Sequence, residues 1–184
     1  SGTERAAEVA GQRGWPDDDL VVNCQGDAPL VPASSIDQVA GLLIEHADAA
    51  MATLCTRITR AEDYRSPHVV KVVSDAAGRA LYFSRAPIPA AGHTGAGPAG
   101  GDGGFPVSAR HIGLYAYRIG ALRALAVSPP CYLEQCENLE QLRAMWMGLE
   151  IRIAQAIEPH GPDIDTPEDL QRALEFMRST GMSA

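Results

Sequence analysis

The chain has 184 residues, of which 46% are hydrophobic and 21% charged, a composition typical of one globular domain with a sizeable core. Its net charge of −8 argues against a nucleic-acid-binding surface, because such surfaces are basic. No apolar run approaches the ~18 residues that a membrane-spanning helix needs.

The cysteines indicate a reducing compartment. Cys24, Cys55, Cys131 and Cys136 form no CxxC pair and have no histidines at the spacing of a zinc site. This pattern favours free thiols in a cytoplasmic protein. The first residues, SGTERAAEVAGQRG, have a polar and helical pattern, so we expect no secretory signal in them.

Helical and strand-like patterns alternate for most of the chain. A turn that contains glycine separates two of the strands, which predicts a hairpin over residues 69–84. Helices are predicted over residues 3–13, 36–44, 133–147 and 166–178, and further strands over residues 18–24, 51–58, 109–118 and 150–157.

This order predicts an α/β fold with helices on both faces of a mixed, mostly parallel sheet, and a small subdomain that contains the hairpin. Residues 86–106 are rich in Gly, Pro and Ala and predict a flexible loop, because loops beyond about 12 to 15 residues are usually lids or disordered. We expect residues 1–184 to form a single domain. No glycine-rich phosphate loop precedes the first helix, so we expect this domain to be incomplete at its N-terminus.

The segment VVNCQGDAP places Asp27 just beyond a buried strand. Ligands of open α/β sheets bind beyond the carboxyl ends of the strands, so Asp27 is a candidate metal ligand. A plain turn explains the same residues equally well, since Gly-Asp followed by Pro is common turn chemistry.

The segment IDTPEDL contains a second candidate ligand, Asp165. Thr166 suits the N-cap of the last helix and Pro167 its first position, and capping alone explains both residues. Asp165 precedes the cap and follows a different strand from Asp27. Two such aspartates can converge on one Mg²⁺, which prefers oxygen ligands.

The strand ARHIGLYAYR carries an unusual face. Alternation puts His111, Gly113, Tyr115 and Tyr117 on the same side. One histidine and two tyrosines around a glycine suggest a polar pocket with room for a ligand over Gly113. An edge strand that faces solvent is the alternative.

The helix YLEQCENLEQLR carries Glu134, Glu137 and Glu140 three residues apart, with Arg143 beyond them. Residues three apart share a helix face. A stripe of this kind is most simply a solvated face.

Six segments in this order resemble the 3-deoxy-manno-octulosonate (Kdo) cytidylyltransferase family, whose members make CMP-Kdo from CTP and Kdo. The segments are SGTER, QGDAPL, VKVVSDAAGRALYFSRAPIP, HIGLYAYR, LEQCENLEQLRAMWMG and DIDTPEDL. The resemblance implies a Rossmann-like nucleotidyltransferase fold, dependence on Mg²⁺, a homodimer and a role in lipopolysaccharide synthesis.

The resemblance also implies roles for individual residues. Asp27 and Asp165 would bind Mg²⁺. The nucleotide would contact Ser1, Gly2, Arg5 and Gln25, and the sugar acid would contact Arg85, His111, Tyr115, Glu140 and Gln141. Within the glutamate stripe, the resemblance gives only Glu140 a new interpretation, as a contact of the sugar acid. Glu134 and Glu137 keep the solvated-face interpretation.

Some features depart from the family pattern. Ala28 stands where the family usually has glutamate, the family's phosphate loop has no counterpart, and the glycine-rich residues 90–104 are not a family requirement. Two alternatives therefore stay open: a cytidylyltransferase for another acidic sugar, or a silent remnant that keeps the fold without the phosphate loop. Arg85, His111 and Glu140 favour Kdo over sialic acid.

Overall fold

The structure is a computed structural model that describes residues 2–90, 108–164 and 166–180. Ser1, Asp165 and most of the predicted loop 86–106 lie outside the described residues. Within the described ranges, no helix is long and apolar enough to cross a membrane.

Helices and strands alternate as the sequence predicts, with two short additional helices, α3 and α4. The helices are α1 (Gly2–Arg13), α2 (Ala33–Glu45), α3 (Ala61–Arg65), α4 (Ile119–Val127), α5 (Tyr132–Glu137), α6 (Gln141–Trp146) and α7 (Pro167–Thr180). The strands are β1 (Leu20–Asn23), β2 (Met51–Arg57), β3 (Lys71–Ser74), β4 (Ala80–Ser84), β5 (Ala109–Arg118) and β6 (Ile151–Gln155).

The described strands form one mixed sheet in the order β4-β3-β5-β2-β6, with β1 also paired to β5. The mixed sheet is confirmed, but the expected excess of parallel pairs is corrected. Among these strands only β2 and β6 run parallel, and the other pairings are antiparallel. The reason is that β5 runs through the centre of the sheet against the direction of its three partners.

The predicted hairpin is confirmed as β3 and β4, with Gly78 in its turn at a φ of 76°. It belongs to the main sheet rather than to a separate subdomain, because β3 pairs with β5. The hairpin turn also reaches β6, where the Ile153 N–H donates to the Gly78 carbonyl at 2.9 Å.

Helices cover both faces of the sheet, as predicted. On one face, Val39 and Leu43 of α2 pack against Leu54 and Leu114. On the other face, α1, α4 and α6 cover the tyrosines of β5. The buried helical residues there are Ala10, Ile119, Leu122, Leu125, Leu142 and Ala144. Within α4, Ile119, Leu122 and Leu125 are three residues apart, which places their side chains on the inner side of the helix.

The single helix predicted over residues 133–147 is wrong, because the chain breaks at Asn138. This residue adopts a left-handed conformation, with φ 52° and ψ 50°, which asparagine tolerates better than most residues. α5 therefore ends at Glu137 and α6 begins at Gln141. Because of the break, the three glutamates of the predicted stripe do not share one helix face.

Lys71, the only lysine in the sequence, is fully buried in β3. Its ammonium group donates to three carbonyl oxygens, those of Ser66 (2.7 Å), Val69 (2.5 Å) and Arg85 (2.5 Å). Burial lowers the pKa of Lys71, and the nearby Glu137 carboxylate partly opposes this shift. Lys71 thus joins the turn before β3 to the residue that follows β4.

Replacing Lys71 with methionine should destabilise the fold by about 3 kcal/mol or more, because three carbonyls would lose the hydrogen bond from a buried ammonium group. Urea unfolding followed by circular dichroism measures the change. Arg60→Met is the matched control, because Arg60 and Glu62 form an exposed pair, with side chains 69% and 74% accessible. Arg60→Met should lower the free energy of unfolding by less than about 1 kcal/mol. Equal losses in the two variants would contradict the role of Lys71.

Candidate active site

The candidate site begins at an unpaired stretch of β5. β2 pairs with one edge of β5, while β3 and β1 share the other edge. β3 pairs with Ala109 and Arg110, and β1 pairs with the residues from Tyr115 onward. Neither strand pairs with residues 112–114, and a cavity of about 280 Å³ opens there. It is lined by Gln25, Ala28, Leu30, Val31, Thr56, Arg110, His111, Ile112, Gly113, Leu114, Pro159, His160, Gly161, Pro162 and Asp163.

Gly113 leaves open space in this cavity, as the sequence suggested. A Cβ atom at Gly113 would meet nothing within 4 Å outside its chain neighbours. The cavity lies beyond Asn23, the last residue of β1, which is where open α/β sheets bind ligands.

The loop that follows β6 forms one wall of the cavity and is tied to α2. His160 Nε2 lies 2.9 Å from the Ser35 hydroxyl, and the Ser34 hydroxyl donates to Glu158 at 2.6 Å. Gly161 packs so closely on Leu30 that a Cβ atom there would lie 2.7 Å from the leucine Cβ. These contacts hold the wall in place.

The same loop reaches the segment that contains Asp27. The Ile164 N–H donates to the Asp27 carbonyl at 2.7 Å. The Asp27 residue is exposed at the surface, while Asp163 lines the cavity. The described residues contain no cluster of three or more His, Cys, Asp or Glu that could hold a metal ion.

A second, smaller cavity gathers four of the predicted site residues. Its volume is about 30 Å³, and Gln25 lines both cavities, so the two adjoin. Gly2 is close by, because a Cβ atom there would lie 3.4 Å from the Gln25 amide oxygen. The cavity is lined by Gln25, Met51, Tyr115, Tyr117, Leu125, Glu140 and Gln141.

Glu140 is held by two donors. The Thr3 hydroxyl donates to one carboxylate oxygen at 2.7 Å, and Arg143 donates to the other at 2.9 Å. Arg143 is only 4% exposed and also lies 3.0 Å from a Glu134 carboxylate oxygen. The solvated-face interpretation of Glu134 is therefore corrected, because this carboxylate pairs with a buried arginine.

Glu137 is not a solvated side chain either. Its carboxylate accepts hydrogen bonds from the Ser84 hydroxyl at 2.6 Å and from the Arg85 N–H at 2.9 Å. Arg85 Nε in turn donates to the Glu137 carbonyl at 2.8 Å, and its guanidinium also reaches the Pro67 carbonyl at 3.1 Å. Arg85 is thereby placed beside the end of α5, and it lines neither of the two cavities.

Two buried amide groups at the site have no hydrogen-bond acceptor among the described residues. They are Nδ2 of Asn23 and Nε2 of Gln141. Buried donors are normally paired, so these two amides lack a partner that such groups usually have, and Gln141 lines the smaller cavity. Sequence reasoning did not single out Asn23. The sequence feature that could have identified Asn23 is its polar amide at the end of the apolar run LVVN.

His111 lies between two aromatic rings. Phe83 makes an edge contact with a centroid separation of 5.0 Å, and Tyr115 lies at 5.3 Å. Burial lowers the pKa of His111 to about 3, so the ring is neutral at physiological pH. Burial, then Tyr117 and Glu140, raise the pKa of Tyr115, so its hydroxyl stays protonated.

The remaining predicted residues are not gathered at the cavities. Arg5 is exposed on α1 and lines neither cavity. Ser1 and Asp165 lie outside the described residues. The structure thus brings together Gly2, Gln25, His111, Tyr115, Glu140 and Gln141, with Arg85 beside the helix that precedes Glu140.

His111 should make the fold sensitive to acid. Its folded pKa of about 3 is below the value of about 6.5 expected in the unfolded chain. The unfolded chain therefore binds a proton that the folded chain does not, and stability falls as the pH drops from about 6.5 towards 3. His111 should lower the free energy of unfolding by about 2 kcal/mol between pH 6.5 and 5, and His111→Gln should remove this part of the decrease.

Urea unfolding at pH 7, 6 and 5 measures this effect. The matched control is His68→Gln, because His68 is exposed on the surface, and this variant should keep the acid sensitivity of the parent chain. An unchanged loss of stability in His111→Gln would show that His111 titrates equally in the folded and unfolded chains.

Comparison with known proteins gives a consistent result. Residues 1–151 match the model of a family described as cytidylyltransferase. The chain is 50% identical to a 3-deoxy-manno-octulosonate cytidylyltransferase of Thioalkalivibrio sulfidiphilus, over 97% of this chain and 71% of the relative. It is 48% identical to the protein of the same name from Alkalilimnicola ehrlichii, over 100% of this chain and 71% of the relative.

A solved structure supports the same family. A CMP:2-keto-3-deoxy-manno-octonic acid synthetase complexed with CTP superposes with a TM-score of 0.82 at 33% identity, over 98% of this chain and 69% of that one. A glucose-1-phosphate thymidylyltransferase of Bacillus anthracis, at 13% identity and a TM-score of 0.56, shares the fold alone. The chain therefore belongs to the cytidylyltransferase family, in the branch of the 3-deoxy-manno-octulosonate cytidylyltransferases.

Proposed function

We propose that this chain transfers CMP from CTP to the anomeric hydroxyl of Kdo, giving CMP-Kdo and pyrophosphate for lipopolysaccharide synthesis. The observation that carries the proposal is the convergence of Gln25, Tyr115, Glu140 and Gln141 on one cavity, with His111 in the adjoining one. These residues come from segments far apart in the chain. The names of the relatives and the CTP bound to the structural neighbour support the choice of substrates.

The proposed reaction needs alignment more than covalent chemistry. The sugar hydroxyl attacks the α-phosphorus of CTP, and the bond to pyrophosphate breaks. Such transfers depend on holding the reactants in line and on offsetting negative charge. Neutral His111, protonated Tyr115 and the unpaired amide of Gln141 supply hydrogen bonds that orient sugar hydroxyls.

Glu140 can act only as an acceptor towards the sugar. Its two oxygens already accept bonds from Thr3 and Arg143, which hold the carboxylate in one orientation. Because Thr3 belongs to the SGTER segment proposed to bind the nucleotide, this bond joins the nucleotide and sugar halves of the site.

Arg85 is the proposed receiver of the sugar carboxylate, because a planar guanidinium matches a carboxylate with two hydrogen bonds. In this structure its N–H groups donate to the Glu137 and Pro67 carbonyls. Binding of the carboxylate would exchange some of these bonds for stronger, charge-assisted ones.

Asp27 and Asp165 are the proposed ligands of Mg²⁺, and Ser1, Gly2, Arg5 and Gln25 are the proposed contacts of the nucleotide. An exposed carboxylate beyond a strand end fits a cation that prefers oxygen ligands and keeps several waters. The bond from Ile164 to the Asp27 carbonyl supports the pairing of the two segments. When bound, Mg²⁺ would offset charge on the phosphates and polarise the attacking hydroxyl.

We further propose that the protein is a cytoplasmic homodimer. The free thiols of the described cysteines fit a reducing compartment. Large exposed apolar side chains, including Tyr132 at 72% and Trp146 at 64%, offer surface for a second copy. Sedimentation equilibrium measures the assembly, and a monomer at micromolar concentration would contradict it.

The test of function is pyrophosphate release on mixing the chain with CTP, Mg²⁺ and Kdo, with CMP-Kdo identified by mass spectrometry. Asp27→Asn should lower turnover by on the order of 100-fold or more, because one charged ligand is lost. Asp48→Asn, at another exposed position, should leave turnover unchanged. Both variants should keep the circular dichroism of the parent.

The Thioalkalivibrio relative, assayed in parallel, is the positive control. Release by the relative but not by this chain would favour a catalytically silent protein. Release with sialic acid but not with Kdo would favour the alternative acidic sugar. Near-normal turnover of Asp27→Asn would remove Asp27 from the metal site.

A further inference from the structure

Strand β5 carries a bulge beside Thr53 of β2. Thr53 pairs with Tyr115, and the next residue, Leu54, pairs with Ile112, so β5 has two residues more than β2 at this point. The Thr53 hydroxyl lies 3.0 Å from the Ile112 carbonyl and 2.8 Å from the Leu114 carbonyl. Thr53 is fully buried, so its hydroxyl takes the place of the ladder hydrogen bonds that the bulge interrupts.

The same hydroxyl contacts His111, whose Nε2 lies 2.9 Å away. A hydroxyl has one hydrogen, and both carbonyls can only accept. The hydrogen therefore goes to a carbonyl, and the oxygen accepts a hydrogen bond from His111. If the hydroxyl donated to the ring instead, both carbonyl oxygens would face its lone pairs without a hydrogen between them. The contact thus requires the tautomer with hydrogen on Nε2.

The other ring nitrogen, Nδ1, then carries a lone pair. The ring is neutral because it is packed between Phe83 and Tyr115 in a desolvated position. None of the described residues donates a hydrogen bond to Nδ1, and His111 lines the cavity of about 280 Å³. Nδ1 is thus a hydrogen-bond acceptor without a protein donor among the described residues, on a residue that borders the cavity.

We propose that Thr53 is a positioning residue that locks His111 in the Nε2–H tautomer, so that Nδ1 accepts a hydrogen bond from a hydroxyl of the substrate. This contact favours a polyhydroxylated sugar over an analogue that lacks the hydroxyl. The identity of the sugar rests on the proposed function, whereas the tautomer does not depend on it.

The tautomer is tested without substrate. Two-dimensional NMR of ¹⁵N-labelled protein at pH 7 distinguishes protonated from unprotonated ring nitrogens, with His111→Gln used to assign the signals. The parent chain and Thr53→Ser, which keeps the hydroxyl, should show hydrogen on Nε2 alone. Thr53→Val should show a mixture of tautomers. Hydrogen on Nδ1, or on both nitrogens, in the parent chain would overturn the inference, whether or not any variant folds.

Kinetics test the consequence. Thr53→Val should raise the KM for Kdo about tenfold or more, while the KM for CTP changes less than about twofold, because only the sugar contact depends on the tautomer. Thr53→Ser should stay close to the parent chain. Equal KM values for Kdo in folded Thr53→Val and Thr53→Ser would overturn the positioning role.

The two proposals fail in different ways. A chain with hydrogen on Nε2 but no turnover of any acidic sugar would contradict the proposed function and still support the tautomer. Turnover of Kdo by a chain whose His111 carries hydrogen on Nδ1 would support the proposed function and contradict the tautomer.

Discussion

The pairing of β5 with three other strands is the constraint on which the site depends. β3 and β1 share one edge of this ten-residue strand, and neither pairs with residues 112–114. The backbone N–H and C=O groups of residues 112–114 on that edge must hydrogen bond to another part of the protein or to water. Because neither strand covers them, a cavity can form there without breaking the sheet. The bulge at Thr53 lies in the same stretch and turns the carbonyls of Ile112 and Leu114 towards its hydroxyl. The open edge and the orientation of His111 therefore have one structural origin.

Two buried cations hold the surroundings of this strand. Lys71 binds carbonyls on both sides of the hairpin, and Arg143 joins Glu134 to Glu140 and also donates to the Ser128 carbonyl. A buried charge is costly unless it is paired or hydrogen bonded, and each of these groups lies against several oxygen atoms. Since phosphoryl transfer depends on alignment, rigid support for Glu140 and Arg85 would contribute to catalysis if these residues contact the sugar as proposed.

Much of the fold could be predicted because local pattern and burial agree. The alternating face of β5 and the apolar side of α2 follow from periods of two and about 3.6 residues. Strand direction could not be predicted, because a continuous apolar run suits a parallel or an antiparallel neighbour. The break at Asn138 was also missed, since glutamates three residues apart fit one helix until the left-handed conformation of Asn138 interrupts it.

The sequence by itself determined the family, the candidate residues and the face on which His111 and Tyr115 lie, because these depend on motifs and on alternation along one strand. Only the tertiary structure decided what those residues touch. Thr53 and His111 are 58 positions apart, and Thr3 and Glu140 are 137 apart, so no local pattern could join them. Pairing across the sheet brings such groups within hydrogen-bonding distance, and burial there makes His111 neutral and gives Glu134 a buried arginine as its partner.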